Sequence, residues 1–479
     1  MSAATSSMSL DQPRSGTRPG AWGALPVLLA GTFMIVLDFF IVNVALPSMQ
    51  ADLQASTGVL EWVIAGYGLT FATCLITAGR LGDQIGRRRA LSTGLALFTA
   101  TSVACGLAPD PTILIAARLV QGLGAALISP NVLAIISVAY QGPQRVRAIT
   151  AYGMVMGFAA ATAQLIGGLL VHADVAGLGW RSVFLINLPV GAGALLLAPR
   201  QVPESRAAGS RLDLVGTGLI TTGLAAVLLP LVEGRQQGFP EWTWLSLALS
   251  LVIVGTFIAH QRQLLRRGKH PLLDVRLFTD RAFSAGLLTQ LTFWCGQAAF
   301  FFVLALYLQL GRGLDALQAG AVFTIMATAY LVTSLRAPRL TLRYGRRLIA
   351  LGAATQATGH VLLLLGALLS GTDGWLGLLV PGLVLVGAGM GLLITPLVTT
   401  VLSAVEPEHA GAASGTISTV QQVGNALGVA VTGVLFFGTL GGGYPHAFEL
   451  SLAEFTVLLA LVAGLARLLP GPTHVRAAA

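Results

Sequence analysis

Charged side chains are scarce in this 479-residue chain: Asp, Glu, Lys and Arg together make up 10% of it. A soluble globular protein carries about 25%. So little charge cannot cover a surface that faces water on all sides, which excludes an ordinary soluble domain. Cysteine is nearly missing too. Cys74, Cys105 and Cys295 all lie inside apolar runs and form no C-x-x-C, so neither a disulfide framework nor a zinc site is expected. There is no G-x-x-x-x-G-K-[ST] and no H-E-x-x-H, which removes Walker-type ATP hydrolysis and zincin chemistry. With no catalytic constellation in view, the chain is expected not to be an enzyme and to need no cofactor or metal. Residues 1–20 are polar, rich in Ser, Pro and Gly, and lack an apolar h-region. They read as a disordered cytoplasmic tail rather than a signal peptide.

What fills the chain is apolar sequence: 55% of residues are hydrophobic and mean hydropathy is +0.79. A helix needs about 20 predominantly apolar residues to cross a bilayer. Fourteen such blocks can be marked, from roughly 22–46 to 447–468. With the N-terminus placed in the cytoplasm, 24 of the 28 Lys and Arg residues fall on the cytoplasmic side. Only Arg181, Arg235 and Arg312 fall outside, and Arg118 sits within a span. That asymmetry is the positive-inside pattern, and losing one span would invert every later loop and spoil it. The loop near Glu406–His409 is the exception, with acids and no Lys or Arg. A net charge of +9 does not point to nucleic acid, because the basic residues punctuate apolar runs instead of forming one solvated face.

The chain also repeats itself. RLGDQIGRRRAL (80–91) aligns with RLTLRYGRRLIA (339–350) at a shift of 259 residues, and GLGAALISP (122–130) resembles GAGMGLLITP (387–396). Repeats in the same orientation predict two parallel six-span halves. The expected organisation is a tail (1–20), a first six-helix bundle (21–199), an inserted helix pair (212–260), a cytoplasmic linker (261–282), a second six-helix bundle (283–468) and a C-terminal tail (469–479).

Asp38 is the one carboxylate that the sequence places deep in an apolar run. An acid there is costly to ionise and is a functional candidate by default; the competing use is a structural acid bonded to nearby backbone. Arg118 is its counterpart. Asp38 precedes Leu46 by eight residues and Arg118 follows Pro111 by seven, which puts them about 12 and 10 Å from the same membrane face. They are expected at similar depth, where pairing is geometrically open; snorkelling to the interface is the alternative for the arginine. Gly79, Arg80, Gly82, Asp83, Gly86, Arg87 and Arg88 form a cytoplasmic turn. Its glycines allow close approach, and Asp83 is placed to cap a helix or pair with arginine in one of two states. Plain charge punctuation explains the arginines but not the Gly-Asp-Gly spacing. Gln290, Trp294, Gln297 and Phe301 recur at i, i+4, i+7 and i+11, a single helical stripe suited equally to lining a cavity for a bulky, largely apolar substrate and to helix packing with buried hydrogen bonds. Asn43, Gln121 and Gln164 are assigned to that cavity. Their competing use, shared with Asn187, Gln421, Gln422 and Asn425, is to hydrogen-bond helices together.

The ordered segments LDFFIVNVALP (37–47), GRLGDQIGRRRAL (79–91), ARLVQGLGAALISP (117–130), WRSVFLINLPVG (180–191), LDLVGTGL (212–219), PLLDVRLF (271–278) and GAASGTISTVQQVGNALGVAV (411–431) resemble the major facilitator superfamily, and within it the fourteen-span drug:proton antiporters. The resemblance covers nearly the whole chain. It implies an all-α integral membrane protein with the major facilitator fold, two six-helix halves plus two inserted helices. It also implies a proton-coupling role for the arginine at position 118 and gating by the 79–89 turn. One departure stands out: the fifth span keeps Gly167-Gly168, but Ala163-Gln164 stands where the family's Gly-Pro pair is usual, so a straighter helix is expected.

The expected function is proton-coupled efflux of small amphipathic drugs or toxic metabolites across the cytoplasmic membrane by alternating access. Both termini are expected in the cytoplasm, and the partners are the substrate, protons and lipid. The alternatives are a dedicated exporter or importer of one metabolite, and a non-transporting membrane sensor.

Overall fold

The computed structural model describes residues 21–206, 213–269, 271–272, 275–403 and 410–469. Both predicted tails, apart from Leu469 at the start of the second, and the Glu406–His409 stretch lie outside the described residues. Among the described residues all regular structure is helical. The α-helices are α1 (Ala21–Leu53), α2 (Thr57–Ile85), α3 (Arg87–Gly106), α4 (Pro111–Ala139), α5 (Gly142–Ala173), α6 (Ser182–Leu185), α7 (Asn187–Gln201), α8 (Leu214–Gln236) and α9 (Glu241–Arg266). They continue with α10 (Arg281–Leu306), α11 (Ala316–Ser334), α12 (Ala337–Tyr344), α13 (Arg346–Ser370), α14 (Val380–Ser403), α15 (Ala410–Gly438) and α16 (Tyr444–Leu465). Several ends are set locally. Asp110 caps α4 by accepting from the Thr112 and Ile113 amides, with Pro111 in the first turn. Asp280 does the same for α10, and Asp315 with Gln318 forms a capping box on α11. Each of these carboxylates satisfies amides that have no partner within the helix.

Among the described residues twelve helices are long and apolar enough to cross a membrane, and α5 makes a thirteenth if its bent halves are one span. The expected fourteenth, α3, falls short on composition: it opens on Arg87–Arg89 and carries Ser92, Thr93, Thr99, Thr101 and Ser102. Hydropathy therefore does not carry the count of fourteen. Even so, α3 lies along α4, where Cβ atoms added at Gly94 and Gly124 would collide with the opposite helix at under 3 Å. A helix so enclosed can bury hydroxyls that a lipid-facing helix cannot.

The fifth span also departs from expectation. It is bent by 42° between its halves 147–160 and 162–173, although it has no internal proline. The Thr162 hydroxyl donates to the Phe158 carbonyl at 2.7 Å, and hydroxyl back-bonding of this kind competes with the helix ladder and bends it.

Helices α1–α7 pack chiefly on one another, as do α10–α16. The two groups meet mainly through α5 against α11 and α2 against α15. The pair α8–α9 packs on itself and along α2. It is tied there by the Trp62 indole donating to Glu233 (2.7 Å) and by Thr221 donating to the Thr73 carbonyl (3.1 Å). Most of α9 faces outward, with Leu245 70% and Leu251 75% exposed, as a lipid-facing helix would be.

Candidate functional site

Asp38 and Arg118 face each other at the centre of the first bundle. Both are fully buried, and the guanidinium Nη1 donates to Asp38 Oδ2. The second carboxylate oxygen accepts from Gln121 Nε2 (3.0 Å) and Asn187 Nδ2 (2.8 Å). Ser102 holds those two amides together by accepting from both, at 3.2 and 2.9 Å, while it donates to the Phe184 carbonyl. Arg118 also donates through Nε to the Val63 carbonyl (2.8 Å) and through Nη1 to Gln121 Oε1 (2.8 Å), and it stacks over the Tyr67 ring at 4.3 Å. Its Nη2 has no hydrogen-bond partner. A buried ion pair is favoured when its remaining donors and acceptors are matched, and here all but Nη2 are, with α1, α2, α3, α4 and α7 each contributing a group. The close approach that brings α4 within reach of Val63 depends on Gly122, where a Cβ would lie 2.4 Å from the Tyr67 carbonyl.

A separate chamber lies between the two bundles. It holds about 860 Å³ of atom-free space and takes walls from α1, α2, α4, α5, α10, α11, α14 and α15. Rings and amides dominate the lining, among them Phe39, Phe40, Tyr152, Trp294, Tyr330 and Gln421. Ser418 also lines a second space that runs to the arginine-rich turn at Gly79, Arg80, Asp83 and Arg87. The opposite end is shut. Phe40 meets Phe301 with centroids 4.8 Å apart, and Phe301 stacks on Phe323 at 5.7 Å. Beyond them a Cβ at Gly168 would lie 2.3 Å from the Ala316 carbonyl, and one at Gly320 would lie 2.6 Å from the Gln164 carbonyl. The chamber therefore faces the arginine-rich side.

The predicted cavity residues divide. Trp294, Gln297 and Phe301 line the chamber. Gln290 does not: its Oε1 accepts from the Trp294 indole at 2.8 Å, one turn along the same helix. Gln121 belongs to the carboxylate cluster. Gln164 donates to the Phe40 carbonyl at 2.9 Å and pins α5 to α1. Asn43 is buried outside the lining set, with its Oδ1 unpaired. In each case the helix face was set by packing that a single-helix pattern does not contain. Asp38 itself is off the chamber wall, although its neighbour Phe39 is on it.

The turn residues also divide. Asp83 pairs with Arg87 at 2.7 Å, a largely buried contact within one turn. Arg80 donates to the carbonyls of Pro271 (2.7 Å) and Leu272 (2.9 Å), which lie in the predicted linker. Gly82 is pressed by the Asn131 side chain, where a Cβ would sit 1.9 Å from Oδ1. Gly86 adopts φ +111°, the joint between α2 and α3. The Arg88 amide donates to Glu204 (3.1 Å) and its side chain donates to the Pro199 carbonyl (3.2 Å), so Arg88 ties α3 to the end of α7 within one bundle.

Three groups escaped the sequence reading. Ser102 looked like an ordinary helix hydroxyl. Glu454 lies midway along α16 and accepts from Thr432 at 3.2 Å, so Asp38 is not the one spanning carboxylate. His360 is buried in α13 with neither ring nitrogen bonded; its ring lies 4.8 Å from that of Phe300.

An all-helical membrane chain with a chamber between two bundles, open to one side and shut to the other, has the architecture of a transporter. Residues 28–429 match the Major Facilitator Superfamily, and the chain belongs to it. Members of that family are membrane transporters rather than enzymes. The chain is 39% identical, over 90% of its own length and 75% of the relative's, to a probable actinorhodin transporter of Streptomyces coelicolor. It is 37% identical to the cephamycin export protein of Amycolatopsis lactamdurans, over 96% of this chain and 97% of that one. Its fold is similar to that of a D-xylose–proton symporter, with a TM-score of 0.68, 14% identity and coverage of 95% and 99% of the two chains.

Proposed function

We propose that this protein exports small amphipathic compounds from the cytoplasm in exchange for protons, by alternating access. Export is supported by relatives named for antibiotic export and resistance at 31–37% identity. The side of the membrane is supported by the arginine distribution, which makes the open end of the chamber cytoplasmic. The carrying observation for proton coupling is the fully buried Asp38–Arg118 pair one residue from a chamber wall. Helix α1 presents Phe39 to the substrate and Asp38 to Arg118. A compound that shifts α1 therefore changes the partner set of the carboxylate. When Asp38 is protonated the ionic attraction is lost, and the bundle holds Arg118 less tightly. The two states thus differ in proton affinity, which is what coupling requires. The turn at Gly79–Arg88 acts as the cytoplasmic gate, with Arg80 gripping the linker in the open form.

Reconstitution in vesicles with an imposed pH gradient tests this reading. Asp38→Asn keeps the amide contacts and removes the titrating group. Coupled flux is expected to fall roughly 5–150-fold while insertion and folding persist. Wild-type coupling by that variant would refute the assignment. A dedicated exporter of a single compound is the second reading, favoured because two of the most similar relatives are named for one compound each. A broad dye and antibiotic panel separates the two.

A further inference from the structure

The chamber has an annex. A second, narrow space lies between α2, α8, α10 and α15, and Phe39 and Asn425 line both spaces. Leu228 and Leu231 of α8, the first helix of the inserted pair, form one wall. Apart from Asn425 the annex is lined by apolar side chains and glycines. At the boundary Asn425 is 4% exposed and its Oδ1 has no hydrogen-bond partner, so an acceptor waits there for a donor. Among the described lining residues of the main chamber no side chain is charged. Of the spanning carboxylates, Asp38 is paired with Arg118, and Glu454, which accepts from Thr432 through Oε1 and leaves Oε2 unpartnered, is off the chamber lining. A permanent cation would enter this low-dielectric space without a counter-charge, and that is costly.

Resting on the export reading above, we infer that the substrate is an uncharged aromatic ring system bearing a hydroxyl or amide donor and an apolar tail. The ring lies in the chamber among Phe39, Trp294 and Tyr330, the donor meets Asn425, and the tail enters the annex. The inserted pair is thus a specificity element: it supplies the wall that a twelve-span arrangement would lack.

The test uses the full chain in nanodiscs and a series of hydroxyanthraquinones with no alkyl chain, a short chain or a long chain, plus a trimethylammonium-bearing counterpart. Binding is read by quenching of Trp294, with Trp294→Phe as the blank. Gly433→Leu fills the annex. Gly433 lines it, and a Cβ there meets nothing within 4 Å, so the helix accepts leucine. Wild type is expected to prefer the long chain over none by roughly tenfold more than Gly433→Leu does, and to discriminate against the cationic analogue. Equal chain-length dependence in the two proteins, absence of binding, or equal affinity for the cation would each overturn the inference. Binding as expected without flux in vesicles would instead sink the export reading and leave this site standing.

Discussion

The first helices of the two bundles pack against different chemistry. In the first, α1 turns Asp38 toward α3, α4 and α7, where Ser102, Arg118, Gln121 and Asn187 converge. In the second, α10 turns Phe300 toward α13 and α16, where it meets His360 at 4.8 Å and Phe455 at 5.9 Å. The first core holds a fully buried ion pair; the second is mostly aromatic, with the half-buried Glu454 and the buried His360 as titratable groups and no ion pair between them. A charge pair loses its attraction when the acid takes a proton, which fits the proposed proton-sensitive element to the first bundle, while the second presents Trp294, Gln297 and Phe301 to the chamber.

That contrast can be broken in graded ways. The largest effect on folding is expected from Arg118→Ala, which strands a buried carboxylate. Removing one partner of such a pair costs about 3–5 kcal/mol, measured as thermal unfolding in detergent, and adding Asp38→Asn should restore part of it. If the double variant is no better than the single one, the pair is not what the arginine stabilises. Gly320→Val is the next probe. Its Cβ would lie 2.6 Å from the Gln164 carbonyl, so the shut end can no longer close. Cysteine labelling at the outer ends of α5 and α11 should rise and labelling at the arginine-rich mouth should fall; an unchanged pattern would show that this contact does not set the state. His360→Leu is expected to leave the pH profile of transport unmoved and stability within about 1.5 kcal/mol. A shifted profile would give the second bundle a proton role after all.

The smallest effect concerns the tether of α8 and α9. Burial works against the Asp213 carboxylate. The Gly216 amide, His260 and Gln261 outweigh it and hold the carboxyl below its ordinary value. Gln261 in turn accepts from the Leu272 amide (2.7 Å), whose carbonyl Arg80 grips. A depressed folded-state pKa gives stability that is present above the unfolded value and fades as pH falls through the folded one. Proteolysis of the linker in wild type should therefore quicken only in acid, while Asp213→Asn should show the faster rate already at neutral pH.

How much could be read in advance varies with the kind of feature. Asp38 and Arg118 were placed at one depth by counting residues, because helix rise is constant. Their amide partners were not found as a set: residues 38, 102, 121 and 187 are far apart in sequence, and no local period links them. The 290–301 stripe was legible as a helix face, yet Gln290 spends its carbonyl on Trp294. The bend in α5 was missed because proline was treated as the source of kinks, and α5 bends with no proline near the break.

Sequence by itself determined which segments are apolar enough for lipid, on which side the arginines lie, and where an acid and a base are stranded. These follow from transfer energies and helix rise, which are local quantities. Tertiary structure alone decided that Asp38 faces its own bundle and not the chamber, that the chamber has an annex, and which end is shut. Those outcomes depend on where glycines let helices touch, and contact between helices is a property of pairs that no single segment carries.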